Sequence, residues 1–239
     1  MSENKVAVIT GAGTGIGAAT AEELARVGTK VVIVGRRPRP LDEVVARITD
    51  QGGTAIARPG DIRDFSFMEN LCNEMVELFG HIDLVVPNAA VHDASSIDSG
   101  DPEWWHTVID VNVVGLLFTV RAFLPQFLRQ GYGHFIVVSS LSGRVTYVGE
   151  PIYITSKHAQ VAFVECLRKE ITPKGVKVTI IEPGLVETPF IENPMGQMVK
   201  KTVTPLDAFD VARTVRFVFE QPENVTIYEL SLRPRKQVL

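Results

Sequence analysis

Residues 6–18 read Val6-Ala7-Val8-Ile9-Thr10-Gly11-Ala12-Gly13-Thr14-Gly15-Ile16-Gly17-Ala18, and this stretch decides the fold. The apolar run predicts a buried strand, the glycines a tight turn, and the pattern from Ile16 onward a helix. A helix N-terminus carries unpaired N–H groups and a partial positive charge, so a pyrophosphate is held there wherever no side chain intrudes. The glycines meet that condition and let helix and strand approach closely. The turn ends Gly15-Ile16-Gly17-Ala18 rather than Gly-Lys-Ser/Thr, which excludes the phosphate loop of an NTPase. A tight turn without a ligand is the plainer alternative.

Further apolar runs at 30–34, 54–57, 82–86, 134–138, 177–181 and 226–232 read as strands, most of them apolar on both faces. Between them lie helical patterns at 16–27, 40–51, 66–79, 103–129, 151–169 and 207–219. Asp101-Pro102-Glu103 has the chemistry of a helix start, and Gly28, Gly80, Gly131 and Gly175 fall where helices should stop. Alternating strands and helices predict a Rossmann-like α/β fold: a doubly wound parallel sheet of about seven strands with helices on both faces. A single domain is expected across residues 1–239, with a flap at about 185–205 or, alternatively, a surface loop without a role.

Composition narrows the class. In 239 residues, 45% are hydrophobic and 22% charged, with a net charge of −4, so no basic field recruits nucleic acid. No run of eighteen apolar residues suggests a membrane span, and the N-terminus does not read as a signal peptide. Two cysteines, Cys72 and Cys166, far apart, imply no disulfide scaffold and make a cytoplasmic setting the expectation. The five histidines lack metal-ligand spacing, so no metal site is expected.

The second predicted strand ends Val34-Gly35-Arg36-Arg37. Dinucleotide folds that prefer NAD place an acid here to hold the ribose 2′-hydroxyl. This chain has none, and the planar guanidinium forks of Arg36 and Arg37 match a 2′-phosphate. NADP(H) is the expected cofactor; a solvated basic turn is the alternative.

Together with later segments, the glycine turn resembles the short-chain dehydrogenase/reductase family over essentially the whole chain. Thr10-Gly11-x-x-x-Gly15-x-Gly17 is similar to that family's cofactor turn. Asn88, in Pro87-Asn88-Ala89-Ala90, stands where the family carries Asn-Asn-Ala-Gly, with Pro87 and Ala90 as departures. Asn112 matches the asparagine of the long fourth helix, and Ser140 and Tyr153-x-x-x-Lys157 match the catalytic serine, tyrosine and lysine. Pro183-Gly184-x-x-x-Thr188 resembles the segment that holds the nicotinamide carboxamide. The ending at 222–234, with Ile181-Glu182-Pro183-Gly184 and the Gly-Arg-Arg turn, is similar to NADP-dependent 3-hydroxy acid (serine-type) dehydrogenases and clavaldehyde-dehydrogenase-like reductases.

The resemblance implies cofactor contacts from Gly11, Gly13, Thr14, Gly15, Ile16, Gly17, Arg36, Arg37, Asp61, Ile62, Asn88, Tyr153, Lys157, Pro183, Gly184, Val186 and Thr188. It implies substrate contacts from Ser140, Tyr153, Leu185 and Phe190; Met195 and Met198 are expected to complete an apolar wall, and Arg144 and His92 are the nearby cations for a carboxylate, a plain loop histidine being the alternative for His92. It also implies a homodimer or homotetramer paired through the long helices, whose outer faces are expected to carry Phe118, Phe123, Phe163 and Leu167.

The chemistry agrees with these assignments. Tyr153 and Lys157 are four apart and share a helix face. A free tyrosine titrates at about 10, so a nearby ammonium and an oxidised nicotinamide are expected to draw it down. Tyr153 then passes a proton to a carbonyl oxygen as hydride arrives, Ser140 donates to the same oxygen, and Asn112 holds a water linking Lys157 to solvent. The implied activity is hydride transfer between NADP(H) and the carbonyl or alcohol group of a small to medium molecule: a ketone or aldehyde reductase, or a hydroxy acid dehydrogenase. The alternative is a non-catalytic NADP(H)-binding redox sensor or scaffold, which would have no need of all four polar residues.

Overall fold

The computed structural model describes residues 4–191, 200 and 202–237. The strands are β1 (Val6–Thr10), β2 (Lys30–Gly35), β3 (Ala55–Pro59), β4 (Leu84–Val86), β5 (Gly133–Val138), β6 (Val176–Pro183) and β7 (Glu229–Leu232). The helices are α1 (Gly15–Ala25), α2 (Pro38–Asp50), α3 (Phe65–Phe79), α4 (Pro102–Ile109), α5 (Gly115–Gln130), α6 (Pro151–Ile171) and α7 (Ala208–Phe219). One seven-stranded sheet has the order β3-β2-β1-β4-β5-β6-β7. Every pairing is parallel, as predicted.

Alternating side chains of the buried strands feed two apolar layers. Val8, Val32, Val34, Phe135 and Val137 face the layer that includes Phe123 and Phe127 of α5 and Val164 of α6. Ala7, Ile9, Val31, Ile33, Ile136 and Val138 face the layer that includes Leu24 of α1, Val44 of α2 and Val215 of α7. Helix boundaries follow the predicted chemistry. Asp101 accepts from the Glu103 amide at the start of α4, and Gly80 and Gly131 close α3 and α5 in the left-handed conformation. Strand β7 begins later than predicted and alternates between exposed and half-buried residues, because it is an edge strand with one neighbour.

Three points bear on the expectations, two of them as corrections. The helix predicted over 103–129 is interrupted by a π-turn at Asp110–Val114. Asn112 causes a local departure there: its side chain accepts from the Val91 amide and donates to the Val91 carbonyl, pinning the turn to the loop after β4. Second, the composite helix Pro102–Gln130 is, by length and composition, apolar enough to cross a membrane, despite the absence of an unbroken apolar run. Its apolar positions Val111, Leu116, Val120, Phe123 and Phe127 face the sheet instead. Third, of the side chains expected on the outer faces of the long helices, Phe123 and Leu167 are buried in this chain's own core. Phe118 stacks edge-on against Phe65, and Phe163 packs at the core margin. Of the expected flap, residues 192–199 and 201, including Met195 and Met198, lie outside the described residues.

Candidate active site

The order β3-β2-β1-β4 reverses direction between β1 and β4, and an open α/β sheet leaves a crevice at the carboxyl ends of its strands at such a point. A cavity of about 940 Å³ occupies this crevice. Among the described residues, all of the predicted site residues line it except Gly17 and Asn112, which stand behind the lining, and Arg144.

The glycine turn is held by its neighbours. Gly11 has φ +66°, and a Cβ there would lie 2.6 Å from the Ala89 Cα; a Cβ on Gly17 would lie 2.5 Å from the Gly11 carbonyl oxygen. Both contacts are with backbone that cannot give way, so only glycine keeps β1, α1 and the loop after β4 this close. Asn88 fastens the same junction: its side-chain amide donates to the carbonyls of Thr10 (2.9 Å) and Gly11 (3.3 Å). Thr10 Oγ1 accepts from the amides of Asn88 and Ala89.

At one end of the cleft, Arg36 and Arg37 follow β2. Arg36 makes no salt bridge among the described residues, though its charge helps hold the Asp61 carboxyl below its ordinary range. The main cause of that shift is Arg63, whose guanidinium hydrogen-bonds both Asp61 oxygens. Asp61 therefore stands in the cleft wall as one half of an ion pair.

Toward the other end, β5 delivers Ser140 and the first turns of α6 deliver Tyr153 and Lys157. Ser140 caps a short 3₁₀ turn, its Oγ accepting from the Ser142 amide at 3.1 Å, and it also hydrogen-bonds Tyr153. Lys157 Nζ lies 5.6 Å from the centre of the Tyr153 ring. Burial acts on both groups: it pushes the Tyr153 phenol up, with Ser140 pulling partly back, and pushes Lys157 down to about 7. The sequence led us to expect the lysine and an oxidised nicotinamide together to draw the phenol down. In the protein alone, desolvation dominates for both groups.

Asn112 is tied on three sides. Its side chain is committed to Val91 and to Ser156 Oγ, while its carbonyl oxygen accepts from Gln160 Nε2 at 2.6 Å. Gln160 Oε1 in turn accepts from Lys157 Nζ at 3.1 Å. An amide side chain thus stands between the lysine and the π-turn carbonyl.

Thr188, Val186 and Leu185 line the cleft beyond Pro183–Gly184, and Phe190 borders it near His92, with ring centres 6.0 Å apart. The Leu185 amide donates to Gln237 Oε1 at 3.0 Å, so the C-terminal residues close over this wall. Nothing in the sequence pattern pointed to Gln237, because its contact partner is 52 residues away.

The two cations considered for the substrate end are placed differently. Arg144 does not line the cleft. It forms ion pairs with Glu182 at 2.6 Å, with Glu229, and with Glu165 at 3.7 Å. Glu182 is fully buried in β6 and needs that countercharge, which explains why the arginine turns away. His92 does reach the cleft: its ring meets Tyr153 edge-on with centres 4.6 Å apart, and its Nε2 lies 3.1 Å from Glu150 Oε1. Tyr147 Oη donates to Glu150 Oε2 at 2.8 Å, and Ser142 Oγ lies 2.7 Å from the Tyr147 hydroxyl. Sequence reasoning missed this Glu150–Tyr147–Ser142 group, since an acid next to a helix-opening proline looks like ordinary helix-start chemistry. Among the described residues no group of His, Cys, Asp and Glu side chains has the arrangement of a metal site.

Residues 5–197 match the model of a family described as short chain dehydrogenase. An uncharacterized oxidoreductase of Staphylococcus saprophyticus is 38% identical over 97% of this chain and 98% of its own. Among solved structures, an alcohol dehydrogenase from the archaeon Thermococcus sibiricus, complexed with 5-hydroxy-NADP, superposes with a TM-score of 0.88 at 30% identity, covering 98% of both chains. The closed form of a serine dehydrogenase complexed with NADP+ gives a TM-score of 0.91 at 28% identity, over 98% of this chain and 96% of that one.

Proposed function

The chain belongs to the short-chain dehydrogenase family, and on that footing we propose that it is an NADP(H)-dependent oxidoreductase acting on the carbonyl or alcohol group of a small to medium molecule. The observation that carries this reading is convergence: Ser140, Tyr153 and Lys157 meet on one cleft with the glycine turn and Arg36. The residues suit the dinucleotide, because the turn leaves a cradle that a Cβ would fill, and Arg36 is not engaged in a salt bridge among the described residues. The NADP complexes of the similar structures support the same cofactor.

When bound, NADP(H) donates or accepts the hydride and, oxidised, presents a positive ring. The chain's own groups handle the proton and the oxygen. Tyr153 Oη gives its proton to the carbonyl oxygen during reduction and takes it back during oxidation. Ser140 Oγ holds that oxygen as charge develops on it. Lys157 holds the nicotinamide ribose, and its charge together with the cofactor's supplies the pull on the phenol that burial alone opposes. Arg36 takes the 2′-phosphate, with Arg37 at the rim. Pro183, Gly184, Val186 and Thr188 flank the nicotinamide, while Leu185 and Phe190 contact the substrate. With Arg144 tied to three glutamates and Glu150 beside Tyr153, the substrate end favours a neutral ketone or aldehyde over a carboxylate-bearing molecule.

The test is a panel of neutral carbonyls and hydroxy acids assayed with both nicotinamide cofactors, followed by nicotinamide absorbance. Turnover with NADPH on neutral carbonyls, reduced about 10²–10⁴-fold by Tyr153→Phe without loss of cofactor binding, is the expected result. Near-parental turnover in that variant would remove Tyr153 from the mechanism.

A further inference from the structure

Gln160 stands one turn after Lys157 on α6 and is 3% exposed, yet it has no place in the chemistry assigned above. Its two amide ends are both used. The oxygen accepts from Lys157 Nζ at 3.1 Å and the nitrogen donates to the Asn112 carbonyl at 2.6 Å. Lys157 and Asn112 are themselves 2% and 0% exposed. The amide is thus a bridge between a buried ammonium and the π-turn carbonyl, and the orientation of each end is fixed, since only the oxygen can accept from a lysine.

We propose that Gln160 is a positioning residue for Lys157: its Oε1 is the acceptor that keeps the buried lysine charged and aimed into the cleft, and its tie to the Asn112 carbonyl fixes that acceptor. The inference rests on the role given to Lys157 above. Burial favours the neutral amine and pushes Lys157 down to about 7, so a hydrogen-bond acceptor 3.1 Å from the ammonium acts where its charge changes, near neutral pH. The surrounding ionisable groups do not substitute for it. Tyr153 and Glu150 lie at the start of α6, His92 lies edge-on against the Tyr153 ring, and the π-turn's Asp110 acts on Arg63. Carboxylates are absent from the causes that shift Lys157. A valine or leucine at 160 would satisfy the apolar packing of α6, so the buried amide is the informative feature.

The experiment uses the full chain without added nucleotide, with ¹³C-labelled lysine, and follows the Lys157 Cε signal against pH, assigned by its loss in Lys157→Met. Gln160→Met keeps the length and removes the acceptor; it should lower the midpoint by about one pH unit. Gln160→Glu places a carboxylate at the ammonium and should raise the midpoint by at least as much. In the loaded enzyme, the alkaline limb of kcat/KM should move in the same two opposite directions. Identical midpoints in the parent and both variants, with only the unfolding temperature changed, would overturn the proposal and leave Gln160 a packing residue. If Gln160→Met does not fold, an unmoved midpoint in Gln160→Glu overturns it equally. Midpoints that move while the rate limb stays fixed would uphold the bridge and refute the role of Lys157 in turnover.

Discussion

Replacing Arg144 with methionine should destabilise the protein rather than change its choice of substrate. Glu182 is fully buried near the end of β6 and accepts from Arg144 Nε at 2.6 Å and from Ser231 Oγ of β7 at 2.9 Å. Breaking a buried pair by removing one partner costs about 3–5 kcal/mol. The Arg144 side chain is 31% exposed and Ser231 remains as a donor, so a figure of about 2–3 kcal/mol is appropriate here. For a chain of this length that is roughly 4–12 °C in Tm. The pH dependence has a definite sign. Burial holds the Glu182 carboxyl above its ordinary range even beside Arg144, so its ionisation costs stability as pH rises above the unfolded value. Without Arg144 that carboxyl rises further, and the deficit of Arg144→Met should widen as pH rises above the ordinary carboxylate range. Thermal unfolding of Arg144→Met, Glu182→Gln and the double variant measures the pair, and the double variant should recover much of the loss. An unchanged Tm, together with a raised KM confined to carboxylate substrates, would refute this and restore Arg144 as an acid anchor.

Arg36→Asp should reverse cofactor choice: a charge-assisted contact to the 2′-phosphate of about 1.5–3 kcal/mol gives roughly 10- to 150-fold preference for NADP in the parent, read as the kcat/KM ratio for the two cofactors. Gly17→Ala should abolish tight nucleotide binding in a titration, because the new Cβ would lie 2.5 Å from the Gly11 carbonyl oxygen and force the turn open. His134 is buried against Thr179 and its pKa is pushed down to about 3, so it stays neutral in the fold while an unfolded histidine protonates at about 6.5. Stability from this source is complete above that value and should fall by about 2 kcal/mol between roughly pH 6.5 and 5; urea unfolding of His134→Gln should lack this part of the slope.

The sheet was legible in the sequence because its interior strands are apolar on both faces, and residues such as Ile33 and Val34 leave no solvent-facing alternative. The exception is β7, where one-sided exposure weakens the pattern to four residues. The site followed from residues at fixed spacing on one element or at strand ends: the glycine turn, Arg36, Ser140, and Tyr153 with Lys157. What stayed hidden depends on partners far apart in the chain. Arg144 looked like a free cation because Glu182 and Glu229 are 38 and 85 residues away. Phe123 and Leu167 looked outward because helical periodicity does not say which apolar stripe meets the sheet. The π-turn was unreadable for the same reason, since Asn112 bends its helix through bonds to Val91, 21 residues earlier.

Deuterium tracing tests the central claim most directly. NADPH labelled with deuterium at the transferring carbon is incubated with the protein and the neutral carbonyl panel, and the products are weighed by mass spectrometry. The account predicts one deuterium on the new carbinol carbon, with transfer strongly suppressed in Tyr153→Phe. Tight NADPH binding with no label passed to any carbonyl would contradict it and mark the chain as a dinucleotide-binding scaffold.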